Sequence, residues 1–139
     1  MMLSVSEDIA VKAMVSVAAA KGKYQCSINK IAEREKLSRE YLAKILKRLV
    51  QKGLLVSSLG LHGGYKLAKP ADQISILDVI EAIDGPYNYI VDYSTDEISD
   101  AQGGAAYDFW KDVHKMTRDT MANQTLDKFD FARYYPDFV

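Results

Sequence analysis

Arg39, Glu40, Lys44, Lys47 and Arg48 fall within a ten-residue window, and their chemistry suits a nucleic-acid duplex. A guanidinium such as that of Arg39 can take two acceptors on a guanine edge, a carboxylate such as Glu40 can accept from a cytosine amine, and Lys44 adds a donor for base edges. Lys47 and Arg48, with Lys30 before them and Lys66 after them, are better suited to phosphates. His62 stands beside Gly63 in a glycine-rich stretch, where an imidazole can reach a phosphate or a minor-groove edge. Enzymatic constellations are missing: the chain has no Ser-His-Asp setting, metal-binding helix motif, phosphate loop or dinucleotide fingerprint. Its two histidines, His62 and His114, lie on unlike segments. No enzymatic activity, metal site or cofactor is expected.

These residues need two short helices and a hairpin to present them. Ser27 can cap a first helix, with Ile28, Ile31 and Ala32 on one side. After a break at Lys36-Leu37, Ser38 is positioned to cap a second helix in the same way. Leu42, Ile45, Leu46 and Leu49 then form a stripe that must face a core, leaving Arg39, Glu40, Ala43, Lys44, Lys47 and Arg48 on the other side. Gly53 can release the chain into the β-leaning Leu54-Leu55-Val56, and Gly60, Gly63 and Gly64 supply a hairpin from which Tyr65-Lys66-Leu67 returns. Two helices meeting at a tight break and followed by a hairpin are the sequence form of a helix-turn-helix with a wing.

The net charge of −1 hides an asymmetry. Residues 21–69 hold 12 Lys/Arg against Glu33, Glu35 and Glu40, giving +9, whereas residues 70–139 hold 5 against 14 acids, giving −9. A basic segment beside an acidic one is the expected footprint of a phosphate-binding surface with an oriented approach. The 48% hydrophobic content suffices for a packed core, and no apolar run approaches the roughly 18 to 20 residues of a bilayer span. With no basic-then-apolar leader at Met1-Met2-Leu3-Ser4, the expected location is the cytoplasm, away from any membrane. Cys26, the single cysteine, fits a reducing compartment.

Around this centre, Ser4 with Glu7 at capping-box spacing starts a helix over about 4–20, striped by Ile9, Ala10, Ala13, Met14, Val17 and Ala18. Ser75, with Asp78 at the box position, starts a short helix of Ile76, Leu77, Val79, Ile80 and Ile83 that ends at Gly85-Pro86. Residues 87–104 read as a loop of about 18 residues with three tyrosines, long enough to suggest a functional role. From Ala105 to about Gln124, Ala106, Trp110, Val113 and Met121 recur at helical spacing, and such a stripe beyond a closed domain needs a partner. A second copy of the chain is the economical one, because a two-fold dimer also sets two recognition helices one DNA turn apart. Phe129, Phe131, Tyr134, Tyr135 and Phe138 then imply a docked tail.

Tyr41-Leu42, Lys52-Gly53-Leu54, Gly63-Gly64-Tyr65-Lys66-Leu67-Ala68 before Pro70, Ile74-Ser75 with Asp78-Val79, and Gly85-Pro86 together resemble the Rrf2 family of bacterial transcription regulators, with matching spacing from about Leu3 to about Pro86. The resemblance implies a mainly α fold: a winged helix-turn-helix DNA-binding domain over 1–86 with a small β-hairpin wing, a loop over 87–104 at the family's sensor-loop position, and a long dimerisation helix with the aromatic tail over 105–139. It further implies double-stranded DNA as partner, a homodimer on a palindromic operator, repression, and a small-molecule or protein effector. Ser38, Tyr41, Gly63 and Gly64 match the family's DNA-binding positions.

The departures are specific. Many relatives hold an iron–sulfur cluster on three cysteines in the loop before the long helix, and residues 90–101 contain none. Some cluster-bearing relatives use a side chain at the position of Asp8 as an iron ligand, but here a carboxylate in the first turn of a helix is explained by the dipole. Ala43 and Leu59 replace side chains that contact DNA in relatives, so those contacts do not carry over. Without a cluster, Cys26 becomes the candidate redox sensor, since its place before Ser27 puts the thiol near a helix N-terminus that favours thiolate. A regulator-shaped protein-interaction module, with a wing that no longer reads DNA, is the alternative.

Overall fold

The computed structural model describes residues 3–88 and 103–138. Its first helix, α1 (Val5–Ala20), opens with the expected capping box: the Glu7 amide donates to Ser4 Oγ at 3.1 Å and the Ser4 amide to Glu7 Oε1 at 3.2 Å. Beyond that turn almost every side chain is apolar or small, and Ile9, Ala10, Ala13, Met14 and Val17 are all buried. A helix with so little polar surface becomes a central strut, and α2 (Ile28–Glu35), α3 (Arg39–Gln51) and α4 (Ile76–Asp84) all pack on it.

Local chemistry explains the turn between α2 and α3. Ser27 accepts the Lys30 amide at 3.2 Å, and α2 ends at Lys36 in the left-handed region, where the Leu37 amide reaches back to Ala32 O at 2.9 Å. α3 closes more tightly. Gly53, at φ +78°, donates to Val50 O and Leu54 to Leu49 O, both at 3.0 Å, which satisfies two orphan carbonyls and turns the buried Leu54 inward. Leu42, Ile45, Leu46 and Leu49 form the buried stripe of α3, each contributing on the order of 1.5–3 kcal/mol by leaving water.

The wing is an antiparallel pair, β1 (Leu55–Ser58) and β2 (Gly64–Leu67), in the register Leu55↔Leu67, Val56↔Lys66, Ser57↔Tyr65 and Ser58↔Gly64. Two of its glycines are sterically required. A Cβ on Gly63 would strike Ser58 O, and one on Gly64 would lie 2.8 Å from Cys26 O. That close approach lets the Tyr65 amide donate to Cys26 O at 2.9 Å, while the Gln25 amide group donates to Leu61 O and Gly63 O at 3.1 and 2.8 Å. The connector 24–26 therefore fastens the wing to the helix-turn-helix.

α4 carries the second capping box, Ser75 with Asp78, and ends at Gly85. The long helix α5 (Gly104–Asn123) has no buried residue in the single chain. After it the chain returns to the winged domain, where Ile76 N–H donates to Gln124 O and Leu126 N–H to Ile74 O, both at 2.9 Å, with Leu126 fully buried. A short helix, α6 (Phe131–Tyr134), follows, and the tail packs against α1 and α2. Residues 89–102, which hold two of the three loop tyrosines and the loop position of the family's cysteines, lie outside the described residues.

Candidate nucleic-acid interface

The fold presents the sequence-derived side chains on two adjoining edges. Along α3, Arg39, Glu40, Ala43, Lys44, Lys47 and Arg48 are exposed opposite the buried leucine stripe, and Tyr41 is nearly half exposed. Lys30 is exposed on α2 and Lys66 on β2. Among the described residues none of Arg39, Lys44, Lys47, Arg48 and Lys66 is held in an ion pair. Arg48 is the one with an acidic neighbour. The Asp84 carboxyl is pushed up by burial and by the negative charge of Glu7, and Arg48 opposes that rise.

Ser38 departs from expectation. It stands at the N-cap of α3 and its carbonyl accepts the Leu42 amide at 2.9 Å, but its hydroxyl makes no capping bond. The first turn of α3 therefore keeps amide donors without a side-chain cap, on the same exposed edge as Arg39. Such a turn suits an anion.

At the wing tip His62 is exposed as expected, and Gly63 closes the turn by donating to Gly60 O at 3.0 Å. The tip also bears two side chains that the sequence reading passed over. Leu59 and Leu61 are 100% and 87% exposed, and they flank the turn on either side of Gly60. Apolar residues with no role in the fold's own core are suited to pressing on sugars or base steps in a minor groove. Alternation around glycines gave no means to distinguish them from residues folded back on the sheet.

Cys26 corrects the reasoning that made its thiol a thiolate. Although it precedes the capping Ser27, the side chain is buried, and the thiol donates back to Tyr24 O at 3.8 Å. Burial pushes the thiol up from its ordinary value, outweighing the opposing charges of Arg34 and Lys30. Nor does this donor set fit an iron–sulfur cluster, which takes several thiolates where the chain supplies one. Among the described residues no three His, Cys, Asp or Glu side chains gather where a metal could be held.

Far from this edge, Trp110 and Phe109 of α5 are more than half exposed, Met116 is 70% exposed, Val113 and Ala106 are exposed, and Met121 is half-buried. Phe109 and Met116 widen the stripe expected from Ala106, Trp110, Val113 and Met121. On another side of the same helix His114 packs on Tyr87, ring centroids 4.2 Å apart, tying α5 to the chain leaving α4.

Known proteins agree with this architecture. In sequence, residues 3–129 match the Rrf2 model, described as an iron-dependent transcriptional regulator. IscR of Pectobacterium atrosepticum, an HTH-type transcriptional regulator, is 30% identical over 119 residues, covering 86% of this chain and 73% of the relative. In structure, CymR of Bacillus subtilis, titled the global cysteine regulator of that organism, superposes with a TM-score of 0.82 at 25% identity, covering 96% of this chain and 98% of the other. The oxidised form of CymR from Staphylococcus aureus gives 0.72 at 31% identity over 91% and 93%. With a winged helix-turn-helix, a long C-terminal helix and this match along nearly its whole described length, the chain belongs to the Rrf2 family of transcriptional regulators.

Proposed function

We propose that the protein is a cytoplasmic, homodimeric repressor that reads a palindromic operator without an iron–sulfur cluster and without enzymatic activity. One observation carries the reading: a cationic α3 face, unpaired among the described residues, beside a projecting wing. Arg39, Glu40 and Lys44 at the start of α3 read base edges in the major groove, with Ser38 and Tyr41 beside them. Lys30, Lys47, Arg48 and Lys66 hold phosphates, and His62 with Leu59 and Leu61 enters the neighbouring minor groove over the Gly63-Gly64 turn. The stripe of Ala106, Trp110, Val113 and Met121, widened by Phe109 and Met116, meets its copy in the second subunit and sets the spacing of the two α3 helices. The absence of a cluster is supported by the cysteine count, and a small-molecule or protein effector takes the cluster's place as signal.

The exposed Leu59 and Leu61 favour one second reading, in which the wing docks on a protein instead of a groove. Fragments of the source genome retained by the protein, titrated by fluorescence anisotropy at several salt concentrations, separate the two. Replacing Lys47 and Arg48 with alanine weakens all duplexes alike and flattens the salt slope by about one unit per lost phosphate contact. Arg39→Ala relaxes sequence preference by about 1–3 kcal/mol at one base position. Binding that is indifferent to all three changes leaves only the second reading.

A further inference from the structure

The tail does more than cover apolar surface: its last described residues are bound as a ligand would be. Asp137 takes both arms of the Arg34 guanidinium, at 3.0 Å from Nη1 and 2.9 Å from Nη2. The same guanidinium lies over the Phe138 ring, 4.0 Å from its centroid, and Tyr24 stacks on that ring at 4.8 Å with an interplanar angle of 19°. One turn back in the tail, the buried Tyr135 hydroxyl donates to Glu35. Behind Phe138 lies a cavity of about 310 Å³ lined by Ser16, Gln25, Cys26, Lys30 and Ile31. A carboxylate forked on arginine, a ring between arginine and tyrosine, and a phenol on a carboxylate make an address for an acidic, aromatic peptide.

What the address touches matters equally. Tyr24 is half of the sandwich around Phe138, and its neighbours Gln25 and Cys26 hold the wing through Leu61, Gly63 and Tyr65. Three consecutive residues thus contact the tail on one side and the wing on the other. We infer that the face formed by α2 and residues 24–26 is a recognition site for an acidic-aromatic peptide, filled in the resting protein by the chain's own residues 135–138, and that its occupancy fixes the wing. Exposed ion pairs contribute little alone, and Asp137 and Arg34 are partly exposed, so it is the combination with two ring stacks and the phenol that holds the segment. The Arg34 contact also keeps the Asp137 carboxyl below the usual carboxylate range, so the pair stays ionised throughout neutral pH. A partner segment of the same chemistry competes for this site, although the tail, being tethered, acts at millimolar effective concentration.

The effect on operator binding rests on the proposed DNA reading; the effect on the wing does not. Hydrogen exchange is measured on the full-length native chain, on Asp137→Ala/Phe138→Ala and on Arg34→Lys, which keeps the charge but loses the fork. Amides of 131–138 and the Tyr65 amide of the wing exchange about tenfold faster in both variants, the size expected for one charge-assisted fork plus a ring stack, while α4 is unchanged. A synthetic peptide of residues 129–138, added in excess to the double variant, restores protection of Tyr65, and the same peptide with alanine for the aspartate at 137 does not. The inference is overturned if the tail exchanges faster and Tyr65 does not, if the tail stays protected in both variants, or if the peptide leaves Tyr65 unprotected. Operator affinity, read in parallel, falls in the double variant and recovers with the peptide. A native chain that binds no duplex while showing the exchange pattern refutes the DNA reading and leaves this site standing.

Discussion

α2 and α3 are neighbours of similar design whose positive charges meet opposite fates. Each follows a serine N-cap, buries an isoleucine or leucine stripe against α1 and turns basic residues outward. On α2 the outward cation Arg34 is taken up by the molecule itself, forked on Asp137 and stacked on Phe138. On α3 no acidic segment returns to cover Arg39, Lys44, Lys47 or Arg48. Sequence pattern alone gives both helices the same amphipathic description. Partnering separates them: one cationic face is structural, and the other is left for something outside the chain.

The comparison breaks most severely from behind. Leu46 is fully buried under α3, and Leu46→Ala should cost about 2–5 kcal/mol in chemical denaturation by removing buried methyl groups and leaving a cavity. Lys47→Ala, one residue on, should leave stability within about 0.5 kcal/mol and weaken DNA binding only. Equal stability losses from the two changes would mean that the α3 face is also packed.

A second contrast, between α4 and α5, carries the next largest effect. α4 buries Leu77, Val79, Ile80, Ala82 and Ile83 within its own chain, whereas the 20-residue α5 buries none. Val113→Asp or Trp110→Glu should convert a dimer to a monomer in sedimentation velocity and abolish high-affinity operator binding, with each winged domain still folded. A native chain that sediments as a monomer would remove the second copy as the partner of α5.

Leu61→Ser at the wing tip should be milder: no loss of stability, since its side chain is 87% exposed, and a three- to tenfold loss of operator affinity, corresponding to about 1 kcal/mol of apolar contact with the groove. If affinity for a non-nucleic partner falls instead, the wing belongs to the second reading.

Local signals made much of this architecture legible. The boxes at Ser4 and Ser75, the cap at Ser27, the left-handed exit at Gly53 and the glycine pair at 63–64 each act within a few residues, so their sequence spacing suffices to place them. What escaped depends on distant chain. Ser38 has the same type and place as Ser27, yet it makes no side-chain cap. The return of Gln124–Leu126 to Ile74 and Ile76 joins segments about 50 residues apart, and Asp137 meets Arg34 across an even longer separation. Composition indicated a docked aromatic tail, but no periodicity states where a tail docks.

Cys26 shows how such a distant contact changes chemistry, and it carries the smallest expected effect. Its position before Ser27 argued for a stabilised thiolate, but Tyr24 and Phe138 stand at the cavity into which Cys26 faces, and burial raises the thiol above its ordinary value. A raised folded value means that the contribution to stability is complete below the unfolded cysteine value of about 8.5 and is lost as pH climbs through the higher folded one. At pH 7.5, therefore, an aromatic disulfide reagent should label the native chain slowly, far below the rate for the unfolded chain, with a pH profile displaced upward from that of free cysteine. Asp137→Ala/Phe138→Ala should label faster by loosening the tail over the cavity, and mild peroxide should change operator affinity there more than in the native chain, with Cys26→Ser insensitive. Rapid labelling of the native chain at neutral pH would show the thiol to be accessible and would restore direct oxidant sensing by Cys26; slow labelling makes any redox response of this protein conditional on release of its tail.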